Sequence, residues 1–137
     1  MVPKFRAWDK EENLWIKVAS LVFDEEGEMW YLGPVMDDFN PVYYENELGK
    51  TWEIMQSTGL KDKNGVEIFE ADVLKNTRNG KIRRVHWNPS CASFHLSKHG
   101  IEESKVEYWS LSNPQWSYEI IGNIYENPEL LEQADEN

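Results

Sequence analysis

Thiol chemistry is nearly missing from this 137-residue chain, whose one cysteine is Cys91. A lone cysteine excludes an intramolecular disulfide and a multi-cysteine zinc site, and it fits a reducing compartment. Long apolar runs are also missing: none approaches the roughly 18 residues a membrane-spanning helix needs. The opening Met1-Val2-Pro3-Lys4-Phe5-Arg6 has no apolar signal-peptide core, so a cytoplasmic protein is expected. Basic residues are scarce, with 14 Lys and Arg against 25 Asp and Glu, a formal net charge of −11. That total repels polyanions, so binding to nucleic acid by bulk charge is excluded. No Gly-rich phosphate loop, nucleophile elbow or metalloprotease helix occurs. No catalytic residue and no cofactor is therefore assigned, and a non-enzymatic protein is expected.

Aromatic residues are plentiful: seven Trp, six Tyr and five Phe are scattered along the chain. Each large ring buries roughly 150–250 Å², so a small domain can build its core largely from them. Pleated sheets suit such side chains. Short alternating segments closed by turn residues recur accordingly. Leu14, Ile16 and Val18 share one face of an expected strand 14–18. Leu21-Val22-Phe23 and Met29-Trp30-Tyr31-Leu32 flank Asp24-Glu25-Glu26-Gly27, a hairpin with a four-residue loop. Residues 35–50 are acidic and aperiodic, and are expected to form an ordered connection with one short helical turn. Further strands are expected at 52–56, 66–69, 73–76, 81–87, 94–96, 106–111 and 118–121. Asn64-Gly65 and Asn79-Gly80 read as type I′ turns, in which both central residues take positive φ. Asn127 and Pro128 mark the start of a short C-terminal helix with Leu130 and Leu131 facing inward. The fold class is mainly β.

Three stretches carry a resemblance. They are Pro3-Lys4-Phe5-Arg6-Ala7-Trp8-Asp9, the run from Met55-Gln56-Ser57-Thr58-Gly59 to Glu70-Ala71-Asp72-Val73, and Ile121-Gly122-Asn123-Ile124-Tyr125-Glu126-Asn127-Pro128-Glu129-Leu130-Leu131. In this order and separation they resemble the YopX family of bacteriophage and prophage proteins. The resemblance implies a β-hairpin-rich N-terminal portion over residues 1–51. It implies a C-terminal small barrel of the Src-homology-3-like type over residues 52–137, ending in the short helix. It implies a phage or prophage origin and carries no activity and no site residues. The family has Gly where this chain has Ala71, so the turn before Val73 is expected to be strained or differently shaped here. Independently of the family, Gly59 and Gly65 suit positive φ, Asp62 and Asn64 can bond their own backbone, and Asp72 can cap the next bend.

Charge is unevenly spread. Between Asp72 and Glu102 there is no acid, but there are six bases, Lys75, Arg78, Lys81, Arg83, Arg84 and Lys98, and all three histidines. With Trp87 as a stacking surface, Lys75, Arg78, Lys81, Arg83 and Arg84 form the candidate nucleic-acid contact. On a strand 81–87 neither face is cleanly apolar, so an arginine is expected at the rim or beside an acidic partner. His86, Cys91, His95 and His99 have a zinc-like spacing, yet no compact loop brings them together, and no metal is expected. Cys91 beside a histidine lacks an oxyanion-stabilising element. The acidic clusters at Asp24-Glu25-Glu26 and Asp37-Asp38 read as solvated turns.

The leading expectation is a protein that acts through contacts with a host or phage protein and forms a homo-oligomer, with neither nucleic acid nor membrane as partner. A domain of this size buries only about 68 % of its surface, so some of its rings should surface as patches. Two alternatives come from other classes: a nucleic-acid-binding small barrel that uses hairpin 75–87, and an acidic decoy that mimics DNA.

Overall fold

The computed structural model describes residues 3–35, 50–90, 92–97, 108–110 and 117–130. Among these residues the chain is mainly β, with eleven strands: β1 Phe5–Asp9, β2 Leu14–Ile16, β3 Val18–Phe23, β4 Met29–Pro34, β5 Trp52–Lys61, β6 Glu67–Phe69, β7 Asp72–Asn76, β8 Ile82–Asn88, β9 Ser93–Ser97, β10 Tyr108–Ser110 and β11 Tyr118–Asn123. No helix among the described residues is long and apolar enough to cross a membrane. The connection expected at 35–50 falls mostly outside the described residues, as does the tail beyond Leu130. The chain divides into two compact units, residues 2–56 and 57–137.

In the N-terminal unit β1 pairs antiparallel with β2 and with residues 52–56 of β5, and β3 pairs with β4. The turn after β1 is set by Asp9, whose buried Oδ1 accepts the Glu11 and Glu12 N–H groups at 2.9 Å each. Ala7, Ile16, Leu32 and Trp52 form the core, with Val18, Leu21, Met29 and Ile54 packed around them. Trp8 and Trp15 face each other in register and meet edge to face at 4.9 Å, with the Arg6 guanidinium 4.6 Å from the Trp15 ring. The single strand expected at 14–18 is instead two, β2 and β3, separated at Lys17. The two halves serve different partners: β2 pairs with β1, and β3 pairs with β4.

In the C-terminal unit the strand order is β10-β9-β8-β7-β11, all antiparallel, and the second half of β5 pairs with β6. This sheet is covered on both faces. Ile68, Leu74, Val85 and Leu96 pack together on one, with Leu60, Phe94, Tyr118 and Ile120 around them. Val73 and Ile82 pack on the other with Ile121, Ile124 and Leu130. Double coverage explains why strand 82–87 has no cleanly apolar face. Ile82 serves one core and Val85 the other, and a charged residue stands on each face beside them, Arg84 with Ile82 and the buried Arg83 with Val85.

The turns keep their expected places and change type. Positive φ falls on Gly65 (+79°) and Gly80 (+75°) but not on Asn64 or Asn79, so neither turn is type I′. In the first, Asp62 Oδ1 accepts the Asn64 and Val66 N–H groups and shapes a wider loop with only its glycine left-handed. At the C-terminus Asn127 does not cap forward as expected. Its Oδ1 accepts the Asn123 N–H at 3.3 Å, and a Cβ on Gly122 would run into that same side chain.

Ala71 adopts φ +72° while 5 % exposed. Its N–H donates to Val85 O at 3.1 Å and its carbonyl accepts the Ile124 N–H at 3.0 Å, so both main-chain groups hold it there. A left-handed L-residue costs roughly 1–2 kcal/mol, and β-branching raises that cost. Ala71→Val should therefore lower stability by about 2–3 kcal/mol. Ala71→Gly should stay within about 1 kcal/mol of the parent, because relief of strain is offset by lost methyl burial and added chain entropy. Urea titrations followed by circular dichroism test both; an Ala71→Val variant as stable as the parent sinks the strain account.

Candidate functional site

The C-terminal unit contains a cavity of about 150 Å³ lined by Asn76, Asn79, Lys81, Arg83, Leu96 and Tyr118. Strand register builds it. Tyr118 on β11 pairs with Asn76 on β7, and the Asn76 N–H donates to Lys81 O at 2.8 Å, so these three form one cross-strand row. Arg83 stands two residues further along β8 on the same face, opposite Leu74. Asn79 completes the wall from the hairpin turn between β7 and β8.

Hydrogen bonds fix the polar ends of these side chains. Asn76 Oδ1 accepts the Arg78 N–H at 2.9 Å, and Asn79 Oδ1 accepts the Lys81 N–H at 2.9 Å. Arg83 is 9 % exposed, and its Nη1 donates to the Ile82 carbonyl at 2.7 Å. Alternation predicts that at least one arginine of this strand sits at the rim or beside an acid; Arg83 is buried, with a main-chain carbonyl among its partners.

The six residues of the candidate nucleic-acid contact do not share one surface. Lys81 and Arg83 meet in the cavity. Trp87 is further along the same face, 44 % exposed, with its ring edge-on to Phe94 at 5.0 Å. Lys75 and Arg84 belong to the opposite face, in register with Ile82 and Val73 respectively, and Arg78 is exposed in the turn. Of the zinc-like quartet, His86 and His95 are cross-strand neighbours, and Ser93 Oγ is 2.8 Å from His95 Nε2. Cys91 and His99 lie outside the described residues. Among the described residues no three metal-ligating side chains converge.

Sequence reasoning missed Asn76, Asn79 and Tyr118 as partners of the two cations. For the asparagines a local signal existed, since both sit in the Asn-x-x-Asn-Gly turn beside Lys81. Tyr118 reaches the row only through the pairing of β11 with β7.

The YopX protein family matches residues 4–132, nearly the whole length. The chain belongs to the YopX family. A solved structure similar to this YopX chain is the crystal structure of protein EF1440 from Enterococcus faecalis. It is 30 % identical, with a TM-score of 0.65, over 96 % of this chain and 99 % of that one. No curated protein matches. All three stretches that carried the resemblance fall within the matched span except Pro3, and Ala71 stands within it in the left-handed conformation.

Proposed function

We propose that this YopX chain is a non-enzymatic accessory protein of a phage or prophage. It works in the bacterial cytoplasm through protein–protein contacts and assembles with copies of itself. The observation that carries this reading is the β3–β4 ribbon. Among the described residues each of its strands pairs only with the other, leaving two open edges. Val22 (43 % exposed) and Phe23 (53 %) sit on it, and Val35 (54 %) follows directly. Open edges beside exposed apolar side chains favour docking of another chain. The finer fold reading belongs to the same proposal: a Src-homology-3-like small barrel over the C-terminal portion, supported by the antiparallel order β10-β9-β8-β7-β11.

Light scattering at micromolar concentration should give a mass at least twice 16.2 kDa. Phe23→Glu with Val22→Lys should return the monomer without loss of β-sheet signal. A wild-type monomer across that range overturns the reading. The convergence of Lys81 and Arg83 favours a second reading, nucleic-acid binding. It requires retention on single-stranded DNA at about 150 mM salt, lost when Arg78, Arg83 and Arg84 are all changed to Ala. The expected result is no retention in either form.

A further inference from the structure

We infer that the cavity between β7, β8 and β11 is a binding site for a phosphate monoester or inorganic phosphate dianion. The lining residues include two cations, two carboxamides and a phenol, with no carboxylate among them. In a chain of net charge −11, five of the six lining residues come from the segment between Asp72 and Glu102 that has no acid at all, and only Tyr118 lies outside it. Each asparagine already spends its Oδ1 on a turn N–H, which leaves the NH₂ as the unspent end of the carboxamide. Lys81 and Arg83 can only donate, and the Tyr118 hydroxyl can do so. A pocket walled by donors and two positive charges is complementary to an oxyanion. Arg83, held by the Ile82 carbonyl, needs little ordering when an anion arrives.

Size and charge narrow the class. About 150 Å³ is well below the roughly 300–1,000 Å³ of sites that enclose drug-sized ligands, so the pocket holds a single tetrahedral group and leaves the rest of a larger monoester in solvent. Five donor-bearing side chains suit the oxygens of phosphate better than the two of a carboxylate. The exposed Lys81, with the Arg83 guanidinium beside it, favours the dianion that a monoester becomes at neutral pH over the single charge of a phosphodiester. The protein's overall negative charge acts weakly at this range, because the Debye length at physiological salt is about 8 Å.

The test uses the whole chain, amide chemical shifts, and inorganic phosphate, methyl phosphate, dimethyl phosphate and acetate as probes at low ionic strength. Inorganic and methyl phosphate should shift the amides of Asn76, Asn79, Lys81, Arg83 and Tyr118 in a saturable way. Dimethyl phosphate and acetate should bind at least tenfold more weakly. Methyl phosphate binding should strengthen several-fold from about pH 5 to pH 7 as the ester, with a second pKa of about 6, becomes a dianion. Lys81→Gln changes an exposed side chain, leaves the fold intact, and should weaken binding about tenfold; Arg83→Gln should abolish it. If Arg83→Gln does not fold, Lys81→Gln and Asn79→Asp decide the matter, the latter by placing a carboxylate in the wall. Shifts scattered over surface lysines and unchanged by Lys81→Gln would overturn the site. Equal binding of acetate overturns the phosphate class. Tighter binding of an oligonucleotide without terminal phosphate, at about 150 mM salt, overturns it in favour of polymer backbone.

Discussion

Asp62→Ala should destabilise the C-terminal unit by about 3–5 kcal/mol, a large share of a small domain's stability. Asp62 is 2 % exposed, yet its carboxylate is fully engaged with the main chain. Oδ1 accepts the Asn64 N–H at 2.8 Å and the Val66 N–H at 3.0 Å, and Oδ2 accepts the Ile120 N–H at 3.0 Å. Hydrogen bonds to charged groups contribute roughly 1.5–3 kcal/mol each. Water can replace the carboxylate at Asn64 and Val66, which sit in the exposed turn, but less readily at half-buried Ile120. Asp62→Asn should lose about half as much. Its single oxygen can serve only one side, and its NH₂ must then face an N–H donor. Urea titrations should rank wild type above Asp62→Asn and that variant above Asp62→Ala. Amide exchange at Ile120 should accelerate most in the alanine variant. An Asp62→Ala chain within about 1 kcal/mol of wild type would show that the three bonds contribute little.

Trp52→Ala should cost about 3–5 kcal/mol in the N-terminal unit, the range for removing a large buried aromatic. Trp52 is 1 % exposed and packs with Ala7, Ile16 and Leu32. Ala7 is too small to fill the void, and Trp52 sits opposite Asp9 at the end of β1, where main-chain pairing limits collapse. Trp52→Phe, which keeps most of the volume, should cost about 1–2 kcal/mol. The chain has two compact units, so one bulk melting curve need not be two-state. Amide exchange along Phe5–Asp9 gives the local readout. Unchanged protection there in the Trp52→Ala variant contradicts the assignment of Trp52 to this core.

What the sequence made legible was decided within about five residues. Asp24-Glu25-Glu26-Gly27-Glu28 and Asp62-Lys63-Asn64-Gly65-Val66 fold the same way. In each, Oδ1 of the aspartate accepts the N–H groups two and four residues on, and the glycine takes positive φ. An acceptor, two donors and a left-handed glycine are all written in five consecutive letters. The family's glycine marks the turn at Ala71 as strained or differently shaped, and the left-handed φ of +72° settles on the first.

The features that stayed hidden depend on distant partners. The third bond of Asp62 comes from Ile120, 58 residues away. The burial of Arg83 follows from a sheet covered on both faces, whereas alternation alone sends charge outward. Lys17 separates two strands because the segments on either side pair with different partners, which no local period records. The candidate cavity is of the same kind. Lys81 and Arg83 could be singled out as charged letters, but the donor-lined wall exists only once Tyr118 lies beside Asn76.

The pairing of β7 with β11 also bears on the order in which the protein is made. Among the described residues every strand partner of β1 to β4 is encoded by residue 56, so these pairings can form while the ribosome is still working. β7 acquires its neighbour on one side as soon as β8 emerges. Its other edge waits for β11 and residue 123. Until then Val73 and Leu74, both fully buried in the finished molecule, belong to a strand with one raw edge open to other chains. Among the described strands β11 is the last to be made, and it is the one that closes this edge of β7.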